Sequence, residues 1–203
     1  KANSILTSVD DASFGEIAKS VSLALWEGDE EELNNLCLQY QSTDSEVQNK
    51  LHIGNEIRND KGYYFGSAFY YEKELYWGLD RLHYLEDRLT DLGLRNNSNN
   101  ESVCQLELKA PAKLTSAKKV NLYFYPSLNS PYTFVSAKRV REMQDEYPIN
   151  LITQPVLPML MRKMTIPGVK GKYIISDAAR EGRKHGYEMK SIYSPIGKPA
   201  RKA

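Results

Sequence analysis

The sequence predicts an α/β fold, and three observations carry that expectation. Residues Val120–Tyr132 read VNLYFYPSLNSPY, a β-favouring apolar run, a short loop and a helix start, and a second apolar run follows the helix. Two aromatic runs on either side of Glu72-Lys73 read as a β-hairpin. Before them, residues 14–60 carry apolar stripes at helical spacing, broken by capping and stop signals.

In chain order, Asp10-Asp11-Ala12-Ser13 precedes Phe14, Ile17, Val21 and Leu25, a stripe that ends near Gly28. Asp29 suits the next N-cap, with Glu30, Glu31 and Glu32 in a first turn where the helix dipole favours negative charge. Its inner face is Leu33, Leu36, Cys37 and Tyr40. Thr43-Asp44-Ser45-Glu46 is a capping-box pattern, predicting a helix to about Asp60 with Gly62 as its stop. Three consecutive helices are therefore expected.

Character changes at Tyr63. Tyr63–Tyr71 is aromatic and strand-like, Glu74–Trp77 is the returning strand, and Gly78 breaks the hairpin. A helix with Leu82, Leu85, Leu89 and Leu92 inward follows, closed by Gly93. Arg95–Ser102 is polar and turn-rich, and its two N-x-S sequons, at Asn96 and Asn100, read as chance. Cys104, Leu106 and Leu108 alternate briefly before Pro111. Val120–Tyr125 is the next strand. Ser130 is a preferred N-cap and Pro131 suits the first helical position, so a helix is predicted over Pro131–Glu146, with Val135, Ala137, Val140 and Met143 on its apolar face. Pro148 stops it, and Ile149–Thr153 is a second strand. Pro167–Lys172 reads as a basic turn, Tyr173–His185 as a helix, and Ser194–Pro199 as an irregular tail.

The chain has 203 residues, with 27 Lys and Arg against 26 Asp and Glu, so its net charge of +1 gives no electrostatic case for nucleic acid. No apolar run reaches the roughly 20 residues needed to span a membrane, and no signal peptide is visible. Cys37 and Cys104 form neither a CxxC nor a metal spacing, and His52, His83 and His185 read as surface or satisfied helix histidines. A reduced, cytoplasmic protein is expected.

Two segments carry a resemblance. Ser127–Thr133 (SLNSPYT), with Pro155-Val156-Leu157-Pro158 and Lys172–Gly186, resembles the opening half of the 2-hydroxychromene-2-carboxylate isomerase and kappa-class glutathione transferase group, in the DsbA-like branch of thioredoxin folds. Gly62–Leu92 is similar to the closing half, with Tyr76-Trp77-Gly78-Leu79-Asp80-Arg81-Leu82 in place of W-G-x-D-R-L, and residues 14–60 are similar to the helical insert that precedes it. The resemblance implies a thioredoxin-like fold with a helical insertion, its halves in permuted order. Residues 1–95 would be the insert and closing half, 96–112 a linker, and 113–203 the opening half with the start of another insert. Either a tandem of two domains or a permuted single domain explains the order.

The implied chemistry is glutathione-dependent. Ser130, Pro131, Tyr132 and Thr133 stand where disulfide oxidoreductases of this fold carry CxxC, so the chain cannot exchange disulfides there, and the thiol must come from glutathione. The resemblance makes Ser130 the catalytic hydrogen-bond donor to that thiolate, next to a helix N-terminus that also favours negative charge. It implies cofactor binding by Asp80, Leu79 and Ser67, with Ser67 where the family has a cis-proline, and substrate binding by Tyr132 and Asn129. The reaction would be reversible thiolate addition to an unsaturated carbonyl compound. The plainer readings are that Ser130 is only an N-cap, that Asp80 caps a helix over 80–92, and that Tyr132 packs. The expected partners are a small-molecule substrate and a second copy of the chain, with neither nucleic acid nor membrane. The rival function is a non-catalytic thioredoxin-like domain that binds a peptide or partner.

Overall fold

A computed structural model describes residues 1–63, 65–96, 101–104, 118–190 and 197–198. The chain divides into two compact units, Lys1–Gly62 and Tyr63–Ala203. The division coincides with the change of character at Tyr63, inside the stretch 1–95 that the sequence takes as one half. Most of the expected linker 96–112, including Leu106 and Leu108, and nearly all of the tail 194–199 lie outside the described residues.

The first unit is four helices: α1 (Ala2–Ser8), α2 (Phe14–Glu27), α3 (Glu30–Gln39) and α4 (Asp44–Asp60). The first of these was not expected from the sequence. Seven residues with no side-chain cap carry little local signal, and α1 is held by tertiary burial of Ile5. The expected starts of α3 and α4 are present. Asp29 accepts from Glu32 N–H at 2.9 Å. Thr43 and Glu46 form the reciprocal box, Glu46 N–H to Thr43 Oγ1 at 3.3 Å and Thr43 N–H to Glu46 Oε2 at 2.7 Å. Ser13 makes no such cap; its own N–H is held by Asp10 Oδ1 at 2.8 Å. The core is aliphatic: Ile5, Val9, Val21, Ala24, Leu33 and Leu36, with Cys37 and Tyr40 against it. Each larger side chain in it stabilises the unit by about 1.5–3 kcal/mol of burial.

The second unit is mixed α/β with two small sheets. An antiparallel hairpin pairs β1 (Ala68–Tyr71) with β2 (Glu74–Trp77), in register Ala68 opposite Trp77. Among the described residues of the expected strand 63–71, only Ala68–Tyr71 pair. Glu72 and Lys73 make the two-residue turn, both at positive φ (41° and 69°), which matches the strand twist at the expense of two strained non-glycine residues. A 3-10 turn, Leu79–Arg81, leads into α5 (Leu82–Asp91). Then β3 (Val120–Phe124) and β4 (Ile149–Thr153) pair in parallel around α6 (Pro131–Glu146), in register Val120 opposite Ile149. This is the expected strand–helix–strand unit. A further 3-10 turn, Met159–Arg162, precedes α7 (Gly168–Lys184). Helix α7 starts five residues before the expected Tyr173, because Pro167 and Gly168 open it where the sequence suggested a turn. Among the described residues the hairpin and the parallel pair are separate sheets. No helix is long and apolar enough to cross a membrane among the described residues.

Candidate functional site

The second unit is centred on a carboxylate. Asp177, on the inner face of α7, is 1% exposed. Arg81 donates to it from Nε, at 3.0 Å to Oδ1 and 3.2 Å to Oδ2, and from Nη2 at 3.2 Å. The Tyr132 hydroxyl donates to Oδ2 at 2.8 Å, the Tyr173 hydroxyl to Oδ1 at 3.2 Å, and Arg180 Nη1 to Oδ1 at 3.4 Å. A carboxylate accepts about four such bonds, so its lone pairs are fully used.

Local structure explains the convergence. Tyr173 stands four residues before Asp177, and Arg180 and Glu181 stand three and four after it, so all four share one stripe of a helix. Tyr132 lies in the first turn of α6. Arg81 is delivered by the turn after Gly78, whose φ of 84° suits glycine and where a Cβ would sit 2.9 Å from Asp80 Oδ1. Around this centre Arg81 Nη1 reaches Asp80 Oδ2 at 2.6 Å, and Tyr84 donates to Glu181 at 2.8 Å. Trp77 N–H donates to the Tyr173 oxygen at 3.3 Å, and Arg180 Nη2 to Leu75 O at 3.1 Å. The Arg180 guanidinium also lies 4.4 Å from the Tyr76 ring centre.

The titration behaviour follows. Burial, then the Asp177 hydrogen bond and charge, push the Tyr132 phenol up beyond its ordinary range. Burial and the Asp177 charge push Tyr173 up to about 12. Burial alone would lower the Arg81 guanidinium, but the hydrogen bond and charge of Asp177, helped by Glu181 and Asp80, outweigh it and hold the proton more firmly. These phenols and this guanidinium therefore keep their protons at neutral pH, so they lock and orient rather than transfer protons.

The expected site residues are brought together in part. Tyr132 and Asp80 join one network through Arg81 and Asp177. Asp80, 62% exposed in its side chain, caps no helix; it belongs to the 3-10 turn, and Arg81 is the N-cap residue of α5. Leu79 is 78% exposed. Ser67 stands at the foot of the hairpin with φ 53°, its carbonyl accepting from Gly78 N–H at 3.0 Å. Ser130 is the N-cap of α6, accepting from Thr133 N–H at 3.4 Å. Asn129 lies in the turn before it. The sequence reading missed Asp177, Tyr173, Arg180 and Glu181 as a site, although the polar stripe within an otherwise amphipathic helix was their signal.

A cavity of about 540 Å³ is lined chiefly by α6, with Tyr132, Val135, Val140 and Met143 in its wall together with Arg81 and Glu181. A second, of about 300 Å³, is lined by Leu82, Leu85, Leu89 and Leu94 with Val103 and Cys104. These leucines include three of the four expected on the inner face of α5; Leu92 is exposed. Ser130 lines neither cavity. His83 differs from expectation too. It is buried against Tyr84, at 4.0 Å between ring centres, and neither ring nitrogen has a hydrogen-bond partner among the described residues. Those residues also contain no cluster of three His, Cys, Asp or Glu placed to hold a metal. No protein-family model, no curated protein and no solved structure matches the chain.

Proposed function

We propose that residues 63–203 form a thioredoxin-like domain of the glutathione-dependent isomerase and transferase type, with its closing hairpin–helix half preceding its opening strand–helix–strand half. One observation carries this reading. The three stretches behind the resemblance, S-P-Y, Lys172–Gly186 and W-G-x-D-R, lie far apart in sequence, yet Tyr132, Asp177 and Arg81, one from each, meet in a single buried network.

The residues fit glutathione. Ser130 Oγ accepts the Thr133 N–H through a lone pair, so its own proton is left to donate to a thiolate at the mouth of α6. The exposed Asp80 carboxylate suits the ammonium of the γ-glutamyl group. Bound there, glutathione supplies a thiolate that adds reversibly to an unsaturated carbonyl compound. Within the protein, Asp177 fixes the positions of Arg81 and Tyr132, and Arg81 in turn holds Asp80.

Immobilised glutathione tests the reading. The protein should be retained, and Ser130→Ala should weaken retention about tenfold, the value of a charge-assisted hydrogen bond. A second reading, a non-catalytic domain that binds a peptide or partner, is favoured by the bond Ser130 Oγ accepts from Thr133 N–H, which already accounts for the residue as an N-cap. No retention of the wild-type protein would select it.

A further inference from the structure

The larger cavity presents a charge pattern that the Ser130 reading does not use. Five charged side chains line it, and three are compensated. Arg81 is paired with Asp177, Glu181 is bonded by Tyr84 and lies 3.5 Å from Arg81, and Glu142 lies 3.4 Å from Lys138. The other two are not. Arg139 Nη1 lies 2.8 Å from His185 Nε2, and among the described residues no carboxylate pairs with it. Glu146 has no ion-pair or hydrogen-bond partner among them. It also lies in the last turn of α6, where the helix dipole disfavours a carboxylate and favours a cation.

Arg139 and Glu146 are seven residues apart on one helix, so they lie on one face about 10.5 Å apart along its axis. Between them the wall carries Val140 and Met143, together with Glu142, whose charge is met by Lys138, and Tyr147 follows Glu146. An extended tripeptide spans about 10 Å from its ammonium to its carboxylate. The volume, about 540 Å³, is in the range of small-ligand sites.

We propose that this groove binds a free, extended tripeptide with an apolar middle residue. Its N-terminal ammonium pairs with Glu146, its C-terminal carboxylate with Arg139, and its central side chain lies on Met143 and Val140. Both chain ends are recognised, so a segment within a longer polypeptide does not satisfy the site. The site is separate from the Ser130 hydroxyl and does not depend on it.

The test is calorimetric titration of the full chain with Ala-Leu-Ala and with its N-acetylated and C-amidated forms. Saturable binding of the free tripeptide is expected, weakened about fivefold by blocking either end, the upper range for a partly solvated ion pair. Arg139→Gln and Glu146→Gln, both on an exposed helix surface, should each weaken it similarly. Acetylation should have no further effect in Glu146→Gln, nor amidation in Arg139→Gln. Retention on glutathione should be unchanged in both variants. Binding that ignores the blocked ends, or no binding of the free tripeptide, overturns the proposal. A parallel loss of glutathione retention overturns the separateness of the two sites.

Discussion

The two units bury different things. Residues 1–62 close over aliphatic side chains, with Ile5 and Val21 sealed from solvent. Residues 63–203 close over a carboxylate, two guanidiniums and two phenols, with Asp177 at the centre. The first arrangement depends on volume and is indifferent to charge. The second depends on every member being present, since a lone buried charge costs far more than a matched set contributes. An oily core tolerates a near-neighbour residue, whereas an ionic centre fixes which segments meet and in what orientation.

The largest effect that would separate the units is Asp177→Ala. It removes the acceptor shared by Arg81, Arg180, Tyr132 and Tyr173 and should destabilise the second unit by about 4 kcal/mol. Amide hydrogen exchange would show this as lost protection in α6 and α7. Retained protection would mean that water replaces the carboxylate and that the centre is not what organises the unit. In the first unit, Ile5→Ala should cost about 3 kcal/mol through the cavity left behind, whereas Ile5→Val should cost about 1 kcal/mol. Equal losses would show that the pocket collapses. Tyr132→Phe removes one donor of several and should cost about 1.5 kcal/mol, with the fold intact by near-ultraviolet circular dichroism. Thr43→Ala removes the side-chain half of a cap and should cost about 1 kcal/mol in the first unit.

The subtlest separation is by pH. His83 is buried without a hydrogen-bond partner, and burial together with the Lys184 charge lowers its proton affinity. The unfolded chain therefore binds a proton below about pH 6.5 that the folded chain resists, so the second unit should lose stability as pH falls through that value. The first unit has no such group. Its Glu46 has a depressed affinity, chiefly from the Thr43 N–H, so its corresponding loss begins only near the ordinary glutamate range, about 4.3. Urea midpoints followed between pH 7.5 and 5 should slope for the second unit and stay flat for the first. A slope that persists in His83→Phe would assign it to another group.

The periodic elements were legible because their signals are local. Thr43 and Glu46 announce α4, and Ser130-Pro131 and Pro148 bracket α6. The capless α1 was not legible, because what holds it is contact with residues tens of positions away. The centre of the second unit was legible only in part. Arg81 and Tyr132 stood in recognisable motifs, but Asp177 looked like one acid among the charges of α7. Nothing within a few residues says that Arg81, 96 positions away, will reach it. His83 was misread for the same reason, since a helix position alone does not reveal what lies above it. Val135, Ala137, Val140 and Met143 were recognised as an apolar face, yet only Val135 is buried and Ala137 is exposed. Val140 and Met143 border the cavity beside it.

The way Asp177 is shared bears on how such a chain can change over time. It is touched from the turn at Arg81, from the start of α6 at Tyr132 and from two places along α7, Tyr173 and Arg180. A single substitution at this position leaves several neighbours mismatched together, and any one neighbour is constrained by the acid it serves. Divergence at these sites should therefore be concerted, with replacements arriving in sets, while the aliphatic positions of the first unit drift one at a time.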